Sequence, residues 1–358
     1  MRVGIIGTGW GTRVQVPAFQ AAGLEIVGIA AQNMEKTRQE AARLGIPAFD
    51  SWRDLLASAA DLISIVTPPA THREFAVAAL EAGKHVLCEK PTALVAAEAQ
   101  AMLAAAQARP QQLALIDHEL RFLPVWQAAR AAVLAGEIGI VRHVVSSIVQ
   151  PSRADLTRPW SWWSDKDQGG GVWGAIGSHQ LDTLRFVCGE IAAVSGTLET
   201  FIAERPFEDG TRAVTSDDFA AASLRFADGG FGSVVMSLVG AVSETDTLTV
   251  HGDAGALRVE GGRLHVARRG GEWQDRTPAH SVAIPAGIDG PFPIGTVYLG
   301  HALRAYAAGD QTALAPGATF TDGLHIQRLL DALHQSVAAN GSWVEVGDHG
   351  SGIGDRLV

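Results

Sequence analysis

The pattern of apolar and polar positions along the chain changes at about residue 120. Before that point, short β-branched runs alternate with longer stretches of helical periodicity, which is typical of βαβ units on a parallel sheet. After it, strand-like runs follow one another with turn signals between them, which favours a mostly antiparallel sheet. The pattern therefore predicts an α/β domain over residues 1–120 and an α+β domain over residues 121–358.

The same periodicity predicts the individual elements. The first domain is expected to have strands at 3–6, 25–30, 61–66, 85–88 and 113–117, and helices at 14–22, 34–44 and 71–82. The second domain is expected to have strands at 141–149, 194–199, 219–226, 231–238 and 247–251, and helices at 298–308 and 322–339. Turn signals at 228–230 and 252–253 indicate hairpins, and the Gly- and Pro-rich residues 270–294 indicate a long loop.

A glycine-rich loop joins the first predicted strand to the first predicted helix, with the sequence Gly7-Thr8-Gly9-Trp10-Gly11. A tight glycine turn at this place lets the backbone approach a pyrophosphate, whose charge then faces helix-terminal N–H groups. The loop predicts a Rossmann dinucleotide-binding domain. Thr12 stands where this fingerprint usually has Gly or Ala, and a glycine-rich turn in some other α/β protein is the alternative.

The end of the second predicted strand bears on the choice of cofactor. A site for NAD usually has Asp or Glu there for the ribose hydroxyl, whereas this chain has Ala31-Gln32-Asn33. The two amides can donate hydrogen bonds to a 2′-phosphate, and Lys36 or Arg38 can supply positive charge. We therefore expect NADP in preference to NAD. The alternative is that these are ordinary exposed helix residues.

Two short motifs end predicted strands of the first domain, Thr67-Pro68-Pro69 and Glu89-Lys90-Pro91. Ligands bind at the carboxyl edge of an open α/β sheet, so both motifs are candidate cofactor contacts. Lys90 could also orient a substrate hydroxyl and assist its proton transfer. A solvated loop lysine is the alternative interpretation of Lys90.

In the second domain a triple glycine, Gly169-Gly170-Gly171, leads to the segment Gly177-Ser178-His179-Gln180-Leu181-Asp182. His179 and Asp182 are one helical turn apart and can share a face. An imidazole can serve as acid or base at neutral pH, and the glycines could let the backbone pass close to a nicotinamide or a substrate. The alternative is a helix-start histidine satisfied by a local carboxylate.

Tryptophans cluster before the triple glycine, at Trp160, Trp162 and Trp163. Trp162 and Trp163 could stack on the apolar face of a sugar or cyclitol ring and are candidate substrate contacts. Packing in the core or at a subunit interface is an equally weighted alternative.

Composition excludes several classes of protein. A formal net charge of −10 and a pI near 5.6 argue against nucleic-acid binding, and no apolar run has membrane-spanning length. Two cysteines, Cys88 and Cys188, and scattered histidines give neither a disulfide framework nor a zinc site, so no metal is expected. A strand-like run starts directly after Arg2, and a cytoplasmic location is expected.

Together these motifs resemble the glucose-fructose oxidoreductase, inositol dehydrogenase and rhizopine-catabolism family, Gfo/Idh/MocA. Its markers occur in order over nearly the whole chain: the glycine loop, Thr67-Pro68-Pro69 with His72, Ala82-Gly83-Lys84-His85-Val86, Glu89-Lys90-Pro91, Arg121-Phe122, Gly136-Glu137-Ile138-Gly139, the triple glycine and Gly177-x-His179-x-x-Asp182. The resemblance implies a Rossmann domain followed by a domain whose open sheet mediates dimers or tetramers. It also implies cofactor contact by His72, substrate contact by Arg121, and Lys90 and His179 flanking the substrate beside the nicotinamide.

The chain departs from the pattern of this family at two places. Many active members have an aspartate four residues before the histidine, where this chain has Ala175. The segment before the triple glycine often carries Trp-Arg, where this chain has Trp160-Ser161-Trp162-Trp163-Ser164, so an expected arginine contact is missing. The Lys, Asp and His trio of the family is therefore incomplete, and His179 is expected to act alone or with Asp182.

The leading hypothesis is an NAD(P)-dependent dehydrogenase or reductase that acts on a hydroxyl or carbonyl of a sugar, cyclitol or related polyol. A second hypothesis, motivated by Ala175, is a cofactor- or sugar-sensing regulator that has lost catalysis. A third is a lyase or hydrolase that holds NAD and recycles it.

Overall fold

The computed structural model describes residues 1–347 and divides into two compact units. The first unit consists of Met1–Leu123 and His280–Leu324. The second consists of Pro124–Ala279 and the described residues from His325 onward. Each unit is built around its own sheet.

The strands within residues 1–347 are β1 (Arg2–Ile6), β2 (Glu25–Ala30), β3 (Leu62–Ile65), β4 (His85–Cys88), β5 (Ala114–Ile116), β6 (Val141–Val149), β7 (Ile191–Glu199), β8 (Glu204–Phe207), β9 (Gly210–Ala213), β10 (Phe219–Phe226), β11 (Phe231–Ser237), β12 (Thr247–Gly252), β13 (Gly255–Glu260), β14 (Arg263–Arg268), β15 (Gln274–Asp275), β16 (Ala318–Thr319) and β17 (Val344–Glu345). The α-helices are α1 (Val16–Ala21), α2 (Met34–Leu44), α3 (Trp52–Ala57), α4 (His72–Glu81), α5 (Ala96–Gln107), α6 (Pro124–Leu134), α7 (Ser178–Cys188), α8 (Pro291–Ala307) and α9 (Phe320–Ala338).

The sheet of the first unit has the order β16-β5-β4-β3-β1-β2. Strands β1 to β5 pair in parallel, and β16 runs antiparallel to β5. All four residues of β3 are buried, as expected for a parallel strand covered on both faces. This is the predicted Rossmann fold, and it brings the carboxyl ends of the parallel strands to one edge.

Helix α8 belongs to the first unit although it lies far along the chain. It packs against α1, and Gly300 permits the approach, because a Cβ added there would lie 2.9 Å from the Cβ of Ala22. The adjoining Ala318 pairs with Ile116 at the edge of the sheet. These contacts place residues 280–324 in the first unit, whereas the sequence-based division assigned them to the second domain. Periodicity along a chain carries no information on contacts at such separation.

The sheet of the second unit has the order β15-β14-β13-β12-β6-β11-β10-β7-β17. Neighbouring strands in this sheet pair antiparallel, apart from β6 and β11, which pair in parallel. The predicted mostly antiparallel sheet is therefore confirmed. Both predicted hairpin turns join antiparallel strands, and Gly229 and Gly230 adopt φ +89 in the first of them. Burial alternates along β11, so one face of the sheet is packed and the other is exposed.

The predicted bounds are confirmed without change for five elements: β2, α2, β4, β6 and β10. In contrast, no regular helices were expected between the strands after residue 120, yet α6 and α7 lie there. Helix α8 also begins at Pro291, inside the expected loop 270–294. Helix α5 was not predicted because its sequence, AAEAQAMLAAAQ, is so rich in alanine that its buried and exposed faces differ little.

Candidate active site

The glycine loop leaves β1 through a turn that only glycine can adopt. Gly7 has φ +125, and its N–H donates to the carbonyl of Ala30 at 2.8 Å. A Cβ on Gly7 would lie 2.2 Å from the carbonyl oxygen of Val66. At Gly9, by contrast, no heavy atom lies within 4 Å of the Cβ position. The exposed backbone at Gly9 therefore has the space that a bound pyrophosphate needs.

Gly11 and Thr12 show how the helix after the loop approaches the sheet. A Cβ on Gly11 would lie 2.9 Å from Ile5 Cγ2, so Gly11 permits the close packing usually provided one position later. Thr12 is fully buried, and its hydroxyl donates to the carbonyl of Thr8 at 2.7 Å. Thr12, which departs from the fingerprint, thus stabilises the loop by a hydrogen bond, and the glycine turn is kept.

Beyond β2 the chain presents no carboxylate at positions 31–33. Asn33 caps α2, its side-chain oxygen accepting from the N–H of Lys36 at 3.0 Å. Gln32 and Lys36 are exposed, whereas the guanidinium of Arg38 pairs with Asp50 at 3.0 Å. Of the two positive charges, that of Lys36 has no ion pair within residues 1–347, and its contact with a 2′-phosphate stays a prediction.

His72 joins the ends of β3 and β4. It is fully buried, with Nε2 at 2.8 Å from the carbonyl oxygen of Thr67 and Nδ1 at 3.1 Å from that of Pro91. Burial lowers the pKa of this imidazole. His72 therefore orders both predicted cofactor-binding segments, while its direct contact with the cofactor stays a prediction.

Lys90 follows β4 directly and lies at the edge of the sheet with a group of buried polar side chains. The amide of Gln15 donates to Glu89 Oε1 at 3.2 Å and to Asp117 Oδ2 at 2.8 Å. The hydroxyl of Ser64 in turn donates to the carbonyl oxygen of Gln15 at 2.6 Å. Gln15, in the helical turn after β1, thus links Ser64 of β3 with the carboxyls that follow β4 and β5 in one hydrogen-bonded network. We call these side chains, together with Lys90 and Glu119, whose charges act on them, the Lys90 acid cluster.

The carboxyl groups of this cluster hold protons at unusually high pH. Burial raises the pKa of Glu89 and of Glu119 well above the ordinary range, and it raises that of Asp117 to about 6. An ionised Asp117 would also repel an ionised Glu89, which raises the pKa of Glu89 further. The positive charge of Lys90 acts in the opposite direction on all three carboxyls. The structure therefore surrounds Lys90 with groups that can store and release protons.

Sequence analysis missed this cluster apart from Lys90 and Glu89. The available signal was the run Asp117-His118-Glu119 directly after β5, which neighbours β4 in the sheet. Gln15 and Ser64 gave no such signal, because one lies in the first helical turn and the other inside an apolar strand.

Arg121 was expected to contact substrate, and the structure places it inside the first unit. Its side chain is 3% exposed and forms an ion pair at 3.5 Å with Asp322, which is fully buried. Asp322 also accepts hydrogen bonds from the backbone and the hydroxyl of Thr319 at the start of α9. This buried position accounts for Arg121 through packing, and substrate contact by Arg121 is an untested prediction.

In the second unit, protein groups occupy the space that the triple glycine leaves. A Cβ on Gly170 would lie 2.2 Å from the carbonyl oxygen of Trp163. Gly171 has φ +114, and a Cβ there would lie 2.4 Å from Asp217 Oδ1. The carboxylate of Asp217 accepts from the N–H of Trp173 at 2.7 Å. These contacts explain two of the glycines without an approach to nicotinamide or substrate.

His179 and Asp182 both lie in the first turns of α7, after a π-helical turn at Trp173–Gly177. They are 4% and 1% exposed, so the helix holds both side chains in defined positions. Ala175 lies within the π-helical turn. Within the first unit the structure brings the glycine loop, His72 and Lys90 to one sheet edge, and within the second it brings His179 and Asp182 onto one helix.

The two candidate tryptophans differ in their surroundings. Trp163 is 8% exposed, and the guanidinium of Arg153 lies 3.8 Å from the centre of one of its rings. Trp162 is 37% exposed. Packing therefore accounts for Trp163, and Trp162 is the better placed of the two to meet a sugar ring.

Residues 1–347 show neither a cluster of metal ligands nor a helix that could span a membrane. Within residues 1–347, no group of three or more His, Cys, Asp or Glu side chains is arranged to hold a metal ion. None of the helices in that same range is long and apolar enough to cross a bilayer.

Comparison with known proteins identifies the family of this chain. Residues 1–116 match a model described as "Oxidoreductase family, NAD-binding Rossmann fold", and residues 126–258 match the GFO/IDH/MocA C-terminal domain. The chain is 30% identical to glucose-fructose oxidoreductase domain-containing protein 2 of Mus musculus, over 96% of this chain and 93% of that protein. The chain belongs to the Gfo/Idh/MocA oxidoreductase family.

Solved structures of similar proteins agree with this membership. An oxidoreductase domain protein from Kribbella flavida is 30% identical, with a TM-score of 0.86 over 97% of this chain and 99% of that one. Levoglucosan dehydrogenase, solved with NADH and levoglucosan, is 28% identical, with a TM-score of 0.85 over 97% and 99% of the two chains. The Gfo/Idh/MocA fold thus spans both units, with a dinucleotide-binding Rossmann fold first.

Proposed function

We propose that this protein transfers a hydride between a nicotinamide cofactor and a hydroxyl or carbonyl group of a sugar, cyclitol or related polyol. The observation that carries the proposal is the Lys90 acid cluster, at the same sheet edge as the glycine loop. The solved levoglucosan dehydrogenase with NADH and a sugar supports this substrate class.

The cofactor fits the residues at this edge. Gly9 leaves open space beside its backbone for the pyrophosphate, and the strand end at Ala31 presents no carboxylate to repel a 2′-phosphate. On this basis we favour NADP over NAD, with Gln32 and Lys36 facing the phosphate. When bound, the nicotinamide supplies the hydride chemistry that the side chains lack.

The side chains supply orientation and proton transfer. Lys90 orients the reacting oxygen through its Nζ, and the Glu89 and Asp117 carboxyls beside it buffer the charge of that ammonium group. His179 exchanges the proton of the reacting hydroxyl, and Asp182 one turn later on α7 positions the imidazole. Trp162 stacks on the sugar ring. We further propose that the protein works as a homodimer or homotetramer through the exposed face of the second unit's sheet.

Steady-state rates on a panel of sugars and polyols with NADP and NAD test this proposal. Lys90→Ala and His179→Ala should each lower kcat by about 100-fold or more, because each removes a group that acts on the reacting oxygen. Lys84→Ala is the matched control, since that ammonium group donates to the carbonyls of Ser58 and Ala60. Wild-type rates in both Lys90→Ala and His179→Ala would refute the assignment.

A sensing role without catalysis is the second candidate, and Ala175 in place of the family aspartate favours it. It predicts that the cofactor binds, as measured by quenching of tryptophan fluorescence, while no member of the panel is turned over. Turnover that depends on Lys90 would exclude it.

A further inference from the structure

Arg153 in the second unit holds a positive charge that no carboxylate within residues 1–347 neutralises through an ion pair. Its guanidinium stacks on Trp163, with Cζ 3.8 Å from the ring centre. Among residues 1–347, this side chain donates no hydrogen bond and forms no ion pair. Its nitrogen atoms keep contact with solvent, so a dissolved anion can reach them.

Two further arginines lie near Arg153 and add to its charge. Burial, together with the charges of Arg158 and Arg205, lowers the pKa of Arg153 to about 10. At this pKa Arg153 is still cationic at neutral pH, in a chain whose formal net charge is −10. Like charges gathered in this way repel each other unless an anion lies between them.

The nearest carboxylates are already engaged elsewhere. Asp155 accepts from the N–H and the hydroxyl of Thr157, both at 2.8 Å. Asp218 accepts from two backbone N–H groups of the 201–202 segment, both at 2.9 Å. Asp155 and Asp218 attract Arg205, and Asp155 also attracts Arg158, while within residues 1–347 neither carboxylate forms an ion pair with Arg153.

The surrounding structure holds Arg153 in place. Arg205 is 3% exposed and donates to the carbonyl of Asp155 at 2.9 Å and to that of Arg153 itself at 2.7 Å. The backbone N–H of Arg153 donates to the carbonyl of Leu238 at 2.8 Å. Trp163 then supports the face of the guanidinium. The donors of Arg153 are thus preorganised, which lowers the entropic cost of binding a ligand.

Arg225, in the same unit, also stacks on a tryptophan, but its charge is neutralised by a carboxylate. Its guanidinium lies 4.7 Å from a ring centre of Trp343, a similar stack, but it also donates to Glu345 Oε1 at 2.8 Å. Arg153 has the stacked tryptophan, but within residues 1–347 it has no carboxylate in ion-pair distance.

We propose that Arg153, with Arg158 beside it, binds the anionic group of a small molecule, either a carboxylate or a phosphate. A planar guanidinium can donate two parallel hydrogen bonds to either group. This inference does not depend on the proposed hydride transfer, because binding can be measured without turnover.

Isothermal titration calorimetry of the full chain tests the proposal with four probes: inorganic phosphate, glucose 6-phosphate, glucuronate and uncharged glucose. At least one anionic probe should bind more tightly than glucose, and Arg153→Met should weaken its binding by about tenfold or more. Tighter binding of glucuronate than of the phosphates would identify the ligand as a carboxylate, and the reverse order would identify a phosphate.

Two further variants separate anion binding from a structural role of the arginines. Arg225→Met is the matched control and should bind the same probe with wild-type affinity. Arg158 is exposed, and Arg158→Met should weaken binding several-fold while leaving the melting temperature unchanged or higher, because it relieves repulsion. The proposal is overturned if no anionic probe binds the wild type, if Arg153→Met and Arg158→Met both bind as the wild type does, or if Arg225→Met loses as much affinity.

Discussion

At the scale of single residues, the chemistry of the first unit depends on how buried charges are balanced around Lys90. Gln15 donates to both Glu89 and Asp117, so one amide holds two carboxyls together. That arrangement is stable because the pair keeps a proton, which avoids two adjacent buried anions. A lysine beside such a pair has a nearby group that can take up or release a proton during turnover.

Asp117 should make the stability of the protein depend on pH. Burial raises its pKa from 3.8 to about 6, so between about pH 4 and pH 6 the folded protein keeps a proton that the unfolded chain loses. The free energy of unfolding should therefore fall as pH rises through this window. In Asp117→Asn, urea unfolding should show a shallower fall. Glu89, Glu119 and Asp217, whose pKa values burial also raises, should account for what is left. Identical slopes in the variant and the wild type would contradict this.

Ala31 should decide the preference between the two cofactors. In Ala31→Asp a carboxylate would accept a hydrogen bond from the ribose 2′-hydroxyl of NAD and repel the 2′-phosphate of NADP. The ratio of kcat/KM for NADP to that for NAD should fall by about tenfold or more. Gln39→Asp, at an exposed position on the following helix α2, serves as the control for added charge. An unchanged ratio in Ala31→Asp would mean that the strand end does not contact the ribose.

At the scale of elements, the glycines that precede α7 set how closely the chain packs. Gly171→Ala should destabilise the protein by about 2–4 kcal/mol, since the methyl group would meet Asp217 and the backbone has φ +114. Gly262→Ala is the control, with φ +77 and no heavy atom within 4 Å. In Gly262→Ala the only loss of folding free energy comes from the left-handed backbone conformation, about 1 kcal/mol. Urea unfolding of both variants measures the difference, and equal losses would show that Asp217 moves aside.

Local signals explain which elements could be predicted from the sequence. Helix α2 was predicted with its bounds because Asn33 caps its start and Gly45 ends it with φ +66. Strand β10 alternates clearly between buried and exposed positions. Helix α5 lacks such contrast, and the packing of α8 in the first unit depends on contacts nearly three hundred residues apart in sequence.

The residues of the candidate site also differ in whether the sequence could predict them. Lys90 and the glycine loop were predicted because each lies in a motif at a strand end. Gln15 was not, because its role arises only when its amide meets side chains in or directly after three different strands. The close contact of Gly171 with Asp217 likewise appears only in three dimensions.

At the scale of the whole molecule, the second unit's sheet leaves apolar side chains exposed on one face. Val145 on β6, Val235 on β11 and Phe231 are 45%, 38% and 56% exposed. Exposed apolar side chains gathered on one face are typical of an interface between protein chains. This face is the one through which we expect copies of the chain to associate.

Val145→Arg should weaken that association, because it places a charge in the middle of the apolar face. Size-exclusion chromatography with light scattering should show the wild type as a dimer or tetramer and the variant as a smaller species at the same concentration. Val242→Arg, at a loop position that is 68% exposed, should leave the mass unchanged. Association of Val145→Arg indistinguishable from that of the wild type would place the interface elsewhere.

The most direct test of the proposed reaction follows a labelled hydrogen. A polyol that the panel identifies as a substrate would be prepared with deuterium on its reacting carbon, and the cofactor would be analysed by mass spectrometry after turnover. We predict that deuterium appears in the reduced nicotinamide with the wild type and that its rate of appearance drops by about 100-fold in Lys90→Ala. Oxidation of the polyol without deuterium in the cofactor, or equal transfer by Lys90→Ala, would contradict the account.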